Sequence, residues 1–289
     1  MRSMLFVPGD SPRKMEKALG SGADALILDL EDSVAPAAKQ GARETTAAFL
    51  RDNAGKPGCP VLLVRINALD TALTDGDVAA VMAARPAGLL LPKAEGGASV
   101  QELHRMMSVA EAEAGIDDGA TAIHAIATET ARGMFTLGTY RGCSPRLKGL
   151  TWGAEDLSAD IGEQTNRLPG SGATEPFRIA RAMLLFAAAD AGVPAIDTVH
   201  VDFRDLDDLR NECEAARRDG FTAKMAIHPA QVPVINEVFT PSVEEIEKAQ
   251  AVVAAFAADP HVGVVAIDGK MFDRPHLRLA ERILARAGK

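Results

Sequence analysis

Charged and polar residues recur at one kind of place in this chain, directly after short apolar runs. Pro8-Gly9-Asp10 follow SMLFV, Glu31-Asp32 follow ALILDL, and Arg65 and Asn67 bracket the end of VLLVRI. Lys93 and Glu95 follow GLLLP, Thr128-Glu129 follow AIHAIA, and Glu155-Asp156 follow LKGLTWGA. His200 and Asp202 follow AIDTV, and His228 follows AKMAI. Any one of these is commonplace. As a set they offer several carboxylates and at least two cations around one mouth, if the runs are strands of one sheet. Two oxygen ligands with open positions suit Mg²⁺, which keeps waters or substrate oxygens in its shell. Glu129 and Asp156 are one strand–helix unit apart and so would share a side of that mouth. The residues alone leave open a salt-bridged or solvated pair, the commoner state of neighbouring carboxylates. Arg65 suits a clamp on a substrate carboxylate or a developing enolate oxygen; it also suits an ion pair with a structural carboxylate.

The elements that would position these residues alternate. Strand-like runs at 3–7, 25–30, 61–66, 88–91, 122–127, 148–152, 195–201 and 222–227 are separated by stretches of helical spacing, among them 37–53, 99–114, a short one near 134–140, 175–191 and 206–219. The runs are continuously apolar rather than alternating, as parallel strands covered on both faces are. Eight repeats point to an α/β fold of the TIM (β/α)₈ type with its chemistry at the C-terminal strand ends; a doubly wound open sheet is the rival. The barrel is expected to occupy residues 1–240. Residues 241–289 are surplus to it: a helix over 242–258 broken at Asp259-Pro260, a strand at 262–267, a polar turn DGKMFDRPH, and a closing helix over 277–287. This tail reads as a lid, as an arm to a neighbouring subunit, or as an outer helix on its own barrel.

The chain has 289 residues, 47% hydrophobic, and a net charge of −9. That length can bury a large core, and the acidic balance disfavours nucleic acid and anionic membranes. A local basic pocket remains available from Arg2, Arg13, Lys14, Arg65 and Lys93. Cys59, Cys143 and Cys213 form no CxxC and read as reduced thiols. MRSMLFVPG reads as a first strand rather than a signal peptide, and no apolar run reaches the length of a membrane span. The expected compartment is the cytoplasm. No GxSxG elbow is present (Gly170-Ser171-Gly172 is too short), nor GxGxxG, Walker A or HExxH. His124 alternates within a strand and reads as core, whereas His104 and His276 read as surface residues.

Eight motifs then follow in order: RSMLFVPGD, DLEDSV, VRIN, LPKAE, ETARG, GAEDL, GFTAKMAIHPAQV and DGKMFDRPHL. Together they resemble the citrate lyase β-subunit-like (HpcH/HpaI aldolase) enzymes, kin of the malyl-CoA and citramalyl-CoA lyases. The resemblance implies a TIM barrel, Mg²⁺ with Mn²⁺ as its substitute, and CoA as part of an acyl-thioester substrate. It gives Glu129 and Asp156 as metal ligands and Arg65 as the substrate-binding arginine. It gives Asp273 as a catalytic aspartate donated by an adjacent subunit's tail, with Asp268 a weaker candidate. It also implies that backbone at Pro8, Gly153 and Ala154 lines the substrate carboxylate, and that Arg13 and Lys14 contact CoA phosphates. The reaction implied is a retro-Claisen cleavage to acetyl-CoA, or a related acyl thioester, plus a 2-keto acid. A homotrimer or hexamer is implied, and for a true citrate lyase β subunit an acyl carrier protein partner. A metal-dependent class II pyruvate aldolase acting without CoA is the alternative. One departure is Thr222-Ala223 ahead of Lys224, where relatives often carry GK followed by apolar residues.

Overall fold

The computed structural model describes residues 1–168, 172–259 and 261–288; Gly170-Ser171 and the helix-breaking Pro260 noted above lie outside them. It divides into two compact units, Met1–Asn236 and Glu237–Lys289.

In the first unit eight parallel strands close into a barrel: β1 (Ser3–Pro8), β2 (Ala25–Asp29), β3 (Val61–Arg65), β4 (Gly88–Leu91), β5 (Ala122–Ile126), β6 (Leu147–Thr151), β9 (Ala195–Asp197) and β10 (Ala223–Ala226). They neighbour one another in chain order, and β10 returns to β1. Between β6 and β9, ahead of the helix at Glu175–Ala191, β7 (Arg167–Leu168) and β8 (Gly172–Ala173) pair antiparallel. The intervening helices are α1 (Pro12–Leu19), α2 (Lys39–Asn53), α3 (Thr74–Met82), α4 (Gly97–Glu113), α5 (Ala131–Thr136), α6 (Glu155–Ile161), α7 (Glu175–Ala191) and α8 (Leu206–Asp219). The α9 helix (Val232–Phe239) carries the boundary between the units.

The strands form because their apolar runs can be buried on both faces: every residue of β2 and β4 is buried. Met4, Ile27, Leu63, Leu90, Ile126, Ile196 and Met225 pack together in one cluster, filling the barrel as a solid core. His124 belongs to this packed interior, as its alternation indicates. It uses the space left by Gly149, where a Cβ would stand 2.7 Å from the imidazole Cδ2. Neither ring nitrogen has a hydrogen-bond partner, and burial pushes the imidazole pKa down to about 4, so it stays neutral.

Three expectations are corrected. The seventh barrel strand ends at Asp197, because Asp197 leaves the apolar pattern to bind Lys224 Nζ at 2.8 Å and the Trp152 indole N–H at 2.8 Å. The fifth helix begins at Ala131 rather than near Met134, because the Thr130 hydroxyl caps the Gly133 amide at 3.0 Å. The third concerns the tail. Its α10 helix (Val243–Ala258) starts from a capping box of Ser242 and Glu245. Lys270–Asp273 is not a polar turn but the strand β12, paired antiparallel with β11 (Val264–Ile267). Only Asp268-Gly269 turn, both at positive φ (50° and 72°), the hairpin geometry that D-G pairs favour. The closing helix α11 (Arg274–Ala287) starts three residues early, capped by Asp273 with Pro275 in its first turn. Phe256, Phe272 and Ala280 form this unit's own core. Among the described residues no helix is long and apolar enough to cross a membrane.

Candidate active site

β2 and β3 pair in register with Asp29 opposite Arg65, the last residue of each strand. Asp29 accepts Arg65 Nε at 2.7 Å and Nη2 at 2.7 Å, and also the amides of Glu31 and Ser33 at 2.9 and 3.1 Å. Burial raises the Asp29 carboxyl, but the Arg65 hydrogen bonds and charge outweigh it and hold the group below the usual carboxylate range. Nη1 of Arg65 lies 2.9 Å from Glu31 Oε2 as an ion pair without hydrogen-bond alignment, and the guanidinium stacks 4.8 Å above the Phe6 ring. Two strands and an aromatic face therefore hold the arginine fork.

Glu31 also accepts Lys93 Nζ at 2.6 Å. Its loop is pinned from below by Lys39, whose ammonium reaches the carbonyls of Leu30 and Glu31 (both 2.7 Å) and Asn67 Oδ1 (2.8 Å). Asn67 thus serves the scaffold. Glu129 stands just before the capping Thr130 and is 4% exposed; its Oε2 accepts the Lys93 amide at 2.5 Å. Burial, reinforced by the nearby Asp156 and Glu31 carboxylates, pushes Glu129 up to about 8, against the hydrogen bond from the Lys93 amide and the Lys93 charge. Asp156 lies in the first turn of α6, with Oδ1 3.1 Å from Lys93 Nζ. Gly153 is required here: a Cβ would stand 2.5 Å from Glu129 Cγ and 3.0 Å from Oε1.

Pro8, Asp29, Arg65, Glu129, Gly153, Ala154 and Asp156 line one cavity of about 420 Å³. Six of the residues singled out in the sequence therefore meet: Arg65, Glu129, Asp156, Pro8, Gly153 and Ala154. Arg13 and Lys14 do not line it; both are exposed on α1. Asp273 belongs to the second unit, where its carboxylate pairs with His276 Nδ1 at 2.6 Å, and that hydrogen bond holds it below the usual carboxylate range. Sequence reading missed Asp29, hidden inside an apolar run. The equal spacing of Asp29 from Ala25 and Arg65 from Val61 was the available signal.

The donor set suits a hard divalent cation. Five carboxylates (Asp29, Glu31, Asp32, Glu129, Asp156) face two basic groups, Arg65 and Lys93, and the bare Cα of Gly153 leaves the Glu129 carboxylate room. A second cluster, His200, Asp208 and Glu212, brings ligand atoms within 4.8 Å of one another. There the buried Lys224 already provides the cation, 3.3 Å from Glu212 Oε2 and 2.8 Å from Asp197.

Comparison with known proteins shows the family and the fold. Residues 2–229 match the family model described as HpcH/HpaI aldolase/citrate lyase, and residues 179–289 match C-C bond lyase of the TIM-barrel fold. The chain is 37% identical to a (3S)-malyl-CoA thioesterase of Cereibacter sphaeroides, over 99% of this chain and 94% of that one. It is 35% identical to the citrate lyase subunit beta of Leuconostoc mesenteroides subsp. cremoris, over 98% and 92%. The crystal structure of CitE from Mycobacterium tuberculosis in complex with magnesium, acetoacetate and coenzyme A superposes with a TM-score of 0.76 at 36% identity, covering 100% of this chain and 98% of that one.

Proposed function

Because the chain belongs to the HpcH/HpaI aldolase/citrate lyase family and is a carbon–carbon lyase, we propose that it cleaves a short β-hydroxyacyl thioester of the malyl-, citramalyl- or citryl-CoA type, with Mg²⁺, into acetyl-CoA or a related acyl thioester and a 2-keto acid. The observation that carries the reading is the convergence of Glu129, Asp156 and Arg65 on one cavity. The CoA and magnesium of the mycobacterial structure support the substrate and cofactor.

Glu129 and Asp156 would hold the Mg²⁺, which when bound supplies fixed positive charge beside the substrate's oxygens. The Pro8 end of β1 and the Gly153-Ala154 backbone bound the space for the substrate carboxylate. As the β-hydroxyl gives its proton to solvent, the oxygen's electron pair becomes the keto-acid carbonyl and the C–C pair passes to the thioester as an enolate. Arg65 has Nε and one N–H of Nη2 on Asp29, so the guanidinium is fixed in the cavity before the reaction begins, and its remaining N–H groups would meet that developing oxyanion. Asp273, brought by a second copy of the chain in a trimer or hexamer, takes up a proton from solvent and passes it to the enolate carbon, with His276 as its partner. The cytoplasm is the compartment we assign, on the acidic surface and three unpaired thiols.

Hydrolysis of the same acyl thioesters is a second reading, favoured by the thioesterase relative; a carrier-protein-bound substrate is a third, favoured by the citrate lyase relative. Release of acetyl-CoA and free CoA from malyl-, citramalyl- and citryl-CoA, with Mg²⁺ and with EDTA, separates them. Metal-dependent acetyl-CoA release supports the lyase, and free CoA alone the thioesterase. Turnover only on an acyl carrier protein, or of free hydroxy keto acids without CoA, removes the CoA lyase reading.

A further inference from the structure

Lys93 has the left-handed backbone (φ 49°) that few side chains adopt. Such conformations persist only where the surroundings over-determine them, commonly at functional sites. Here the conformation has a visible consequence. The amide of Lys93 faces the β5 end and donates to Glu129 Oε2, while its ammonium lies 2.6 Å from Glu31 Oε1 and 3.1 Å from Asp156 Oδ1. One residue thus holds Glu129 by its main chain and Asp156 by its side chain. Glu31 extends the link to Arg65, 2.9 Å away, and the Lys39 ammonium fixes Glu31 by its carbonyl. Lys93 does not line the cavity. Its amide and its ammonium are engaged by carboxylates, and the role argued for it runs through them.

We propose that Lys93 is a positioning residue that fixes Glu129 and Asp156 as a preformed pair of cation ligands; the inference rests on the metal reading above. Two carboxylates converging on one point repel each other and lose rotamer freedom when a cation binds. A cation and an amide supplied from one rigid, left-handed residue offset that repulsion and remove the freedom beforehand. Outer-shell partners of this kind contribute roughly 10–100-fold to metal affinity.

The test is Mn²⁺ titration followed by electron paramagnetic resonance, with circular dichroism as the control for folding. Lys93→Asn and Lys93→Gly both tolerate a positive φ, so they keep the amide contact and remove only the ammonium. Both are expected to raise the Mn²⁺ Kd by about 10–100-fold, and Lys93→Arg, which restores a cation, to recover most of the loss. Should one neutral variant fail to fold, the other carries the comparison. Equal Mn²⁺ affinity in the folded neutral variants and the wild type overturns the role of Lys93 and leaves the metal site standing. Failure of the wild type to bind Mn²⁺ any better than Glu129→Gln overturns the metal site and this inference together.

Discussion

Arg65 and Asp29 face each other across β3 and β2 in a two-pronged ion pair, Nε to Oδ1 and Nη2 to Oδ2, both at 2.7 Å. A planar fork held this way presents its remaining N–H groups in one fixed direction, which a lysine cannot do. Arg65→Lys keeps the charge and loses the fork. It is expected to lower kcat for thioester cleavage by about 10²–10³-fold, the usual loss for one oxyanion donor. Steady-state kinetics on the cleaved ester check this; an Arg65→Lys enzyme with wild-type kcat would remove Arg65 from the chemistry.

Glu129→Gln and Asp156→Asn each remove one of the two carboxylates proposed to hold the cation. Turnover is expected to vanish at millimolar Mg²⁺ for both. For the wild type, EDTA should abolish activity and added Mg²⁺ or Mn²⁺ restore it. Activity that survives EDTA dialysis would leave the carboxylate cluster without a catalytic purpose.

Gly153→Ala asks whether the bare Cα matters. The new methyl would stand 2.5 Å from Glu129 Cγ, and Glu129 is buried and tied to the Lys93 amide, so it cannot swing aside cheaply. The variant is expected to fold, with unchanged far-ultraviolet circular dichroism, and to lose about 10²-fold or more in metal-dependent turnover, the order expected when a group near the chemistry is misplaced by about 1 Å. Unchanged Mn²⁺ affinity in Gly153→Ala would contradict the close contact.

Asp273→Ala should spare metal binding and lower turnover by orders of magnitude. If the aspartate acts in a neighbouring copy, two inactive variants, Glu129→Gln and Asp273→Ala, should complement when mixed as subunits. Random assembly then pairs an intact cavity with an intact tail at about one site in four. Dead mixtures alongside an inactive Asp273→Ala would confine the aspartate to its own chain.

Much of this arrangement is legible in the residues. The eight strands announce themselves as apolar runs, and the residues of the cavity that the sequence singles out lie at or just past the ends of barrel strands. What stayed hidden depended on register and backbone angle. Asp29 reads as one more strand residue until β2 and β3 are aligned, when it falls opposite Arg65. Lys93 reads as a cation at the mouth, yet at a φ of 49° its amide binds Glu129 while its ammonium binds Glu31 and Asp156. In the tail, Lys270–Asp273 looks polar because only Phe272 of the four is buried; the Asp268-Gly269 turn is the local signal that pairs it as a strand.

The last prediction concerns stability, at the opposite end of β5 and β6 from the cavity. Arg146 is buried just before β6, and both its terminal nitrogens reach Glu111, at 2.9 and 2.6 Å. It also binds Asp118 at 2.6 Å and the Thr121 carbonyl at 3.1 Å. Burial raises the Glu111 carboxyl, but the hydrogen bonds from Arg146 and from the Gly119 and Thr121 amides, with the Arg146 charge, bring it down to about 2 from an ordinary 4.5. A carboxyl whose pKa falls on folding stabilises the fold above its unfolded value and loses that contribution as acid protonates it. The contribution of Glu111, on the order of 3 kcal/mol, is therefore complete above about pH 4.5 and lost between there and about pH 2. Arg146→Met strands a buried carboxylate and is expected to cost about 3–5 kcal/mol at pH 7. Because Glu111 in that variant escapes its penalty by taking up a proton, the gap to wild type should narrow as pH falls. Urea unfolding of both proteins at pH 7 and pH 4 measures the gap, and one that stays constant would show that Glu111 is not the group that Arg146 keeps ionised.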